Sequence, residues 1–179
     1  MKKNRKGFTL SEVLVTVLII GIISSFAVPQ YMTVVQKTKI AAQLPLASSI
    51  SESVIRYFSA KNEAPSTLAK LSIQLPPNFK IEGQTANSEN PKCSISLSVE
   101  QGEDGYDIPK NLSYACQTTT NINDWNFLFE YTDTSSGIAA GKRYFQVLNT
   151  TDATTINRLN KAARALGWQE ESSNKYEIN

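Results

Sequence analysis

The sequence predicts an α+β fold. A long N-terminal helix, membrane-spanning in its first half, packs through its second half on an antiparallel β-sheet, and a late C-terminal helix follows. Three observations predict it. Residues 8–28 form one apolar run, and apolar side chains then recur at helical spacing to about residue 60. Between residues 93 and 148 they alternate instead, the period of strands with one buried face. Residues 152–166 return to the helical period. At 179 residues there is room for one ordinary domain and one extra element.

The first element reads FTLSEVLVTVLIIGIISSFAV over residues 8–28. As a helix its roughly 21 residues, at about 1.5 Å each, match the ~30 Å hydrocarbon layer of a bilayer. Its only charge is Glu12, and Lys2, Lys3, Arg5 and Lys6 precede it. That asymmetry predicts a cytoplasmic N-terminus and an outward body. Pro29 removes an amide donor and crowds the preceding turn, so a kink or local melting is expected there, with a second bend at Pro45. Ile40, Leu44, Ala47, Ile50, Ser51, Val54 and Phe58 then share one face, an amphipathic continuation over residues 29–60. Residues 62–65 end the helix.

The remaining chain, residues 61–179, reads as the globular β-sheet domain. A short helical turn with Leu68 and Leu71 inward leads into a linking loop. Residues 93–99 and 112–116 alternate cleanly, and one antiparallel register pairs Cys93 with Cys116, Ile95 with Tyr114 and Leu97 with Leu112. That register puts every apolar side chain on one face and brings the two sulfurs within bridging distance. A disulfide follows if the body faces an oxidising compartment, with free buried thiols the alternative. Trp125, Phe127, Phe129 and Tyr131 form a third strand. A turn region at residues 137–141 leads to a fourth over residues 144–148. The late helix, with Ile156, Leu159, Ala163 and Leu166 inward, ends at Gly167. A small terminal hairpin over residues 168–170 and 176–178 closes the chain.

Composition excludes much chemistry. There is no His, which rules out Ser-His-Asp and Cys-His nucleophilic schemes, and two Cys without His cannot build a four-ligand zinc site. No Gly-rich phosphate loop occurs. No catalytic residue, cofactor or metal is therefore expected. Removing the four leader cations from 18 basic residues leaves 14 against 16 acidic ones, a body too near neutrality for tight nucleic-acid binding. Two clusters invite other readings. Glu100, Glu103, Asp104 and Asp107 share a loop that could hold calcium, although Gly102 and Gly105 suit a solvated turn and the spacing fits no EF-hand. Arg158, Lys161 and Arg164 line one side of the late helix, as a nucleic-acid or surface-contacting stripe or a plain solvated face.

Glu12 needs a reason, because a carboxylate in a bilayer costs about 2.5–3.5 kcal/mol. Cutting after Gly7 would give Phe8 a positive amine one turn away, able to offset Glu12 within a subunit or between neighbours. A secretory signal with small residues Ser25 and Ala27 at its cleavage site is disfavoured by Glu12, by the length of the run and by Pro29 just after the bond. A plain membrane anchor with a tolerated acid is the other alternative.

These residues carry a resemblance. KGFTLSEVLVTVLIIGIISSFAVPQY resembles the N-terminal signature of type IV prepilins and type II secretion pseudopilins. The resemblance implies a basic leader (residues 1–7) cut by a prepilin peptidase after Gly7, N-methylation of Phe8, and Glu12 as the assembly glutamate. Gly21 and Pro29-Gln30-Tyr31 also fall at the family's spacing; Ser11 departs, standing where many members have Ile or Val. It further implies an inner-membrane precursor that polymerises, with copies of itself and related pilins, on an inner-membrane assembly platform. The rival from another class is a single-span, membrane-tethered binding domain that never assembles.

Overall fold

The computed structural model describes residues 7–89, 92–102, 105–117, 124–134, 137–148 and 153–179. Helix α1 (Leu10–Lys61) runs 52 residues through both Pro29 and Pro45 without a break. It ends where Asn62 turns left-handed at φ 56° and returns its N–H to the Phe58 carbonyl at 2.7 Å. A 3₁₀ turn (Leu68–Lys70) follows with Leu68 and Leu71 buried.

Eight antiparallel strands then form one sheet: β1 (Phe79–Glu82), β2 (Thr85–Glu89), β3 (Lys92–Gln101), β4 (Asp107–Cys116), β5 (Trp125–Thr134), β6 (Gly137–Val147), β7 (Gln169–Ser172) and β8 (Lys175–Glu177). Their order is β1-β2-β3-β4-β5-β6-β8-β7. Helix α2 (Ala153–Ala165) links β6 to the terminal hairpin. The expected β3–β4 register is the observed one, with Cys93 opposite Cys116, Ile95 opposite Tyr114 and Leu97 opposite Leu112. Helix α2 ends as expected at Gly167, whose N–H bonds Arg164, while the Trp168 N–H reaches back to Ala163.

Two readings need correction. The stretch taken as a linking loop contains the β1–β2 hairpin, with Glu82 opposite Thr85 and Gly83 at positive φ in the two-residue connection. Residues 137–141, read as a turn, belong to β6; residues 135–136, which join β5 to β6, lie outside the described residues, as does Asp152 at the expected start of α2. Gly141 marks a close approach and not a turn. A Cβ there would stand 2.8 Å from the Glu130 carbonyl oxygen, beside the irregularity in register between Phe129 and Tyr131.

The core lies between one face of the sheet and the two helices. Ile40, Ala47, Ile50, Val54 and Phe58 of α1 are buried, as the spacing predicts, and Leu44 is half-buried. Trp125, Phe127, Phe145 and Trp168 form an aromatic cluster with ring centroids 5.1–6.2 Å apart. Polar contacts fix the helix along this seam. Tyr114 Oη donates to Gln43 Oε1 at 2.7 Å, Tyr131 Oη meets Ser51 Oγ at 3.2 Å, and Lys37 Nζ donates to the Ala165 carbonyl at the end of α2.

Two predictions follow from the packing. Gly141→Val should destabilise the domain by about 1–3 kcal/mol, because backbone must move to admit the side chain. Denaturant unfolding followed by tryptophan fluorescence measures it, and an unchanged midpoint contradicts the close approach. Burial pushes the Tyr114 phenol up to about 12, from 10.0, and pushes Tyr131 up as well. A raised folded-state value means full stabilisation below pH 10 and its loss as pH climbs from 10 to 12. Stability should therefore fall over that range, and less steeply in Tyr114→Phe than in wild type.

Candidate assembly and processing site

The N-terminal part of α1 is shaped by what does not touch it. From Phe8 to Val34 almost every side chain is exposed, and the burial expected of a helix on a sheet begins only at Ile40. This is the one helix among the described residues long and apolar enough to cross a membrane, and none of its most apolar stretch is buried. Gly7 and Phe8 lie in irregular chain before the helix. Nothing stands within 4 Å of a Cβ built on Gly7, and Phe8 is 88% exposed. Among the described residues nothing crowds the peptide bond between them. Lys2, Lys3, Arg5 and Lys6 lie outside the described residues.

Glu12 has a partner that the sequence reading missed. Thr9 is the N-cap of α1, and its backbone N–H and its hydroxyl both donate to Glu12 Oε2 at 2.8 Å. The Glu12 N–H returns to Thr9 Oγ1 at 3.3 Å, closing a reciprocal capping box. The signal was legible: Thr9 and Glu12 stand in the T-x-x-E spacing just before an apolar run. An acid in the first turn also faces the positive end of the helix dipole. Three further hydroxyls of the bare stretch turn inward on their own helix. Thr16 donates to the Val13 carbonyl, Ser25 to Ile22 and Thr33 to Pro29, at 2.7–3.3 Å.

At the other end, Cys93 and Cys116 are joined, with S–S 2.01 Å and Cα–Cα 4.1 Å. Of the two side clusters, the acidic one is only partly described. Glu100 pairs with Lys110 at 2.7 Å, while Glu103 and Asp104 lie outside the described residues. Among the described residues no group of three or more His, Cys, Asp or Glu converges. On α2, the exposed Arg164 pairs with Glu170 at 2.8 Å, Arg158 is half-buried and Lys161 is exposed, the pattern of a solvated face.

The model of the prokaryotic N-terminal methylation motif matches residues 2–28, covering Gly7, Phe8 and Glu12 in one stretch. The N-terminus is of the prepilin type. The chain is also similar to fimbrial proteins. It is 32% identical over 80 residues to the fimbrial protein EcpC of Eikenella corrodens, across 45% of this chain and 52% of that one. It is 27% identical over 122 residues to the type IV major fimbrial protein FimA of Dichelobacter nodosus strain VCS1703A, across 60% and 75% respectively. A further FimA from Dichelobacter nodosus is 40% identical over 50 residues, 28% of this chain. The match thus spans about half the length of the Eikenella relative.

The disulfide closes a separation of 23 residues, which should stabilise the sheet domain by about 3 kcal/mol. Replacing both cysteines with Ser should lower the unfolding free energy by that amount in denaturant titrations. A loss below about 1 kcal/mol would show that β3 and β4 hold their register without it.

Proposed function

We propose that this pilin-like chain is the precursor of a structural subunit of a type IV pilus or a type II secretion-like filament. It sits in the inner membrane with its N-terminus cytoplasmic, spanning through residues 8–28. A prepilin peptidase hydrolyses the Gly7–Phe8 bond, and Phe8 becomes the N-methylated terminus. An inner-membrane assembly platform then moves the subunit into an extracytoplasmic filament of itself and related pilins. The body over residues 61–179 coats the outside, and Pro29, inside the bare stretch, is where the membrane-spanning segment can bend relative to the rest of the helix.

One observation carries the reading: a methylation motif on a helix whose apolar half has no partner in its own chain. In water that surface is untenable; in lipid, and then among neighbouring helices, it is covered. Glu12 is the one charge that must be compensated at each stage. In the free chain it caps its own helix through Thr9. In the filament it pairs with the Phe8 amine created by cleavage, within a subunit or across to the next, and sets axial register. A tethered monomer would need neither the cut nor the pairing.

Glu12→Ala separates the two. It should insert and be cleaved normally, since losing the acid relieves a cost of about 2.5–3.5 kcal/mol in lipid. It should nevertheless be missing from sheared surface filaments while mature subunit accumulates in the membrane. Mass spectrometry of the wild-type membrane fraction should find N-methylated Phe8 as the terminus. An intact leader there, or wild-type filament levels of Glu12→Ala, contradicts this reading.

A further inference from the structure

An open apolar groove of about 640 Å³ lies where the first packed turns of α1 meet the disulfide end of the sheet. Its floor is the buried Cys93–Cys116 bridge and the Trp125 ring, and its lips are the exposed Tyr31, Val34 and Thr38. We propose that this groove seats the apolar helix of a second copy of the chain, through a turn within residues 13–28. The inference rests on the filament reading and deepens it by naming where one subunit holds the next.

Four observations favour that occupant. The lips follow directly on the bare stretch, so groove and bare helix form one continuous apolar surface. A turn of helix 10–12 Å across with a 5.4 Å pitch occupies about 400–600 Å³, the scale of the groove. Residues 13–28 carry no charge, and the groove contributes only Lys39, exposed at its rim, so no counter-charge is demanded. The geometry is also permissive. With the groove centred near residue 37, a parallel copy displaced axially by about 13–36 Å brings some turn of residues 13–28 level with it. A lipid chain fits less well, because that centre stands about 13 Å beyond the end of the spanning segment, outside the hydrocarbon layer.

The test uses the full chain in its native membrane. A benzophenone side chain at position 38, photolysed in sheared filaments, should give a covalent dimer whose peptide map joins position 38 to residues 13–28. Thr38→Trp, which fills the groove, should leave membrane levels and the disulfide intact and reduce filament subunit at least tenfold. Crosslinks to lipid, to a neighbouring sheet domain or to another protein would overturn the docking while leaving polymerisation standing. So would wild-type filament yield from Thr38→Trp. If wild-type chain enters no filament, the docking and the filament reading fall together.

Discussion

Everything in this molecule is arranged around an apolar surface that its own chain cannot cover. Thirteen large apolar side chains between Phe8 and Val28 stand half exposed or more. At about 1.5–3 kcal/mol for full burial of each, leaving them in water forgoes on the order of 10–20 kcal/mol. That exceeds what a domain of this size commands as net stability. The helix must therefore always have company, whether lipid or protein.

A surface that large needs a firm handle, and the second half of α1 supplies it. Ile40, Ala47, Ile50 and Val54 are sunk in the sheet at zero exposure, and the tyrosine contacts to Gln43 and Ser51 fix the helix along its axis. Lys37 ties α1 to the end of α2 close to where burial begins. The transition from bare to packed falls between Val34 and Ile40, within about two turns. The sheet carries the helix as a rigid projection; the helix completes the sheet's core.

Most of this was legible before any coordinates, because the decisive patterns are periodic. The 3.6-residue repeat from Ile40 to Phe58 and the alternation around Cys93 and Cys116 each allow one solution that buries all the apolar residues, and both were observed. What escaped was local. Phe79 and Ile81 make too short and too exposed a run to announce the edge strand β1. Gly141 reads as a turn because sequence reports only a missing side chain, whereas the carbonyl that excludes one lies on another strand. The roles expected of Gly7, Phe8 and Glu12 rest on the resemblance, since no periodicity or spacing in the chain specifies them. The Thr9 cap is written in the T-x-x-E spacing, beside a charge whose cost in lipid is the louder signal.

The hydroxyls of the bare helix have a consequence for how freely the subunit changes surroundings. Thr16, Ser25 and Thr33 bond their own backbone carbonyls, so none of these donors waits for an external acceptor. Lipid tails offer no acceptors, and an interior of packed helices offers few, so self-contained donors lose nothing in either medium. For these three hydroxyls no hydrogen bond is gained or forfeited between lipid and a packed-helix interior, which leaves the balance to packing and to Glu12. Thr16, Ser25 and Thr33 are thus satisfied alike in either medium, and none of them would tie the helix to one of the two.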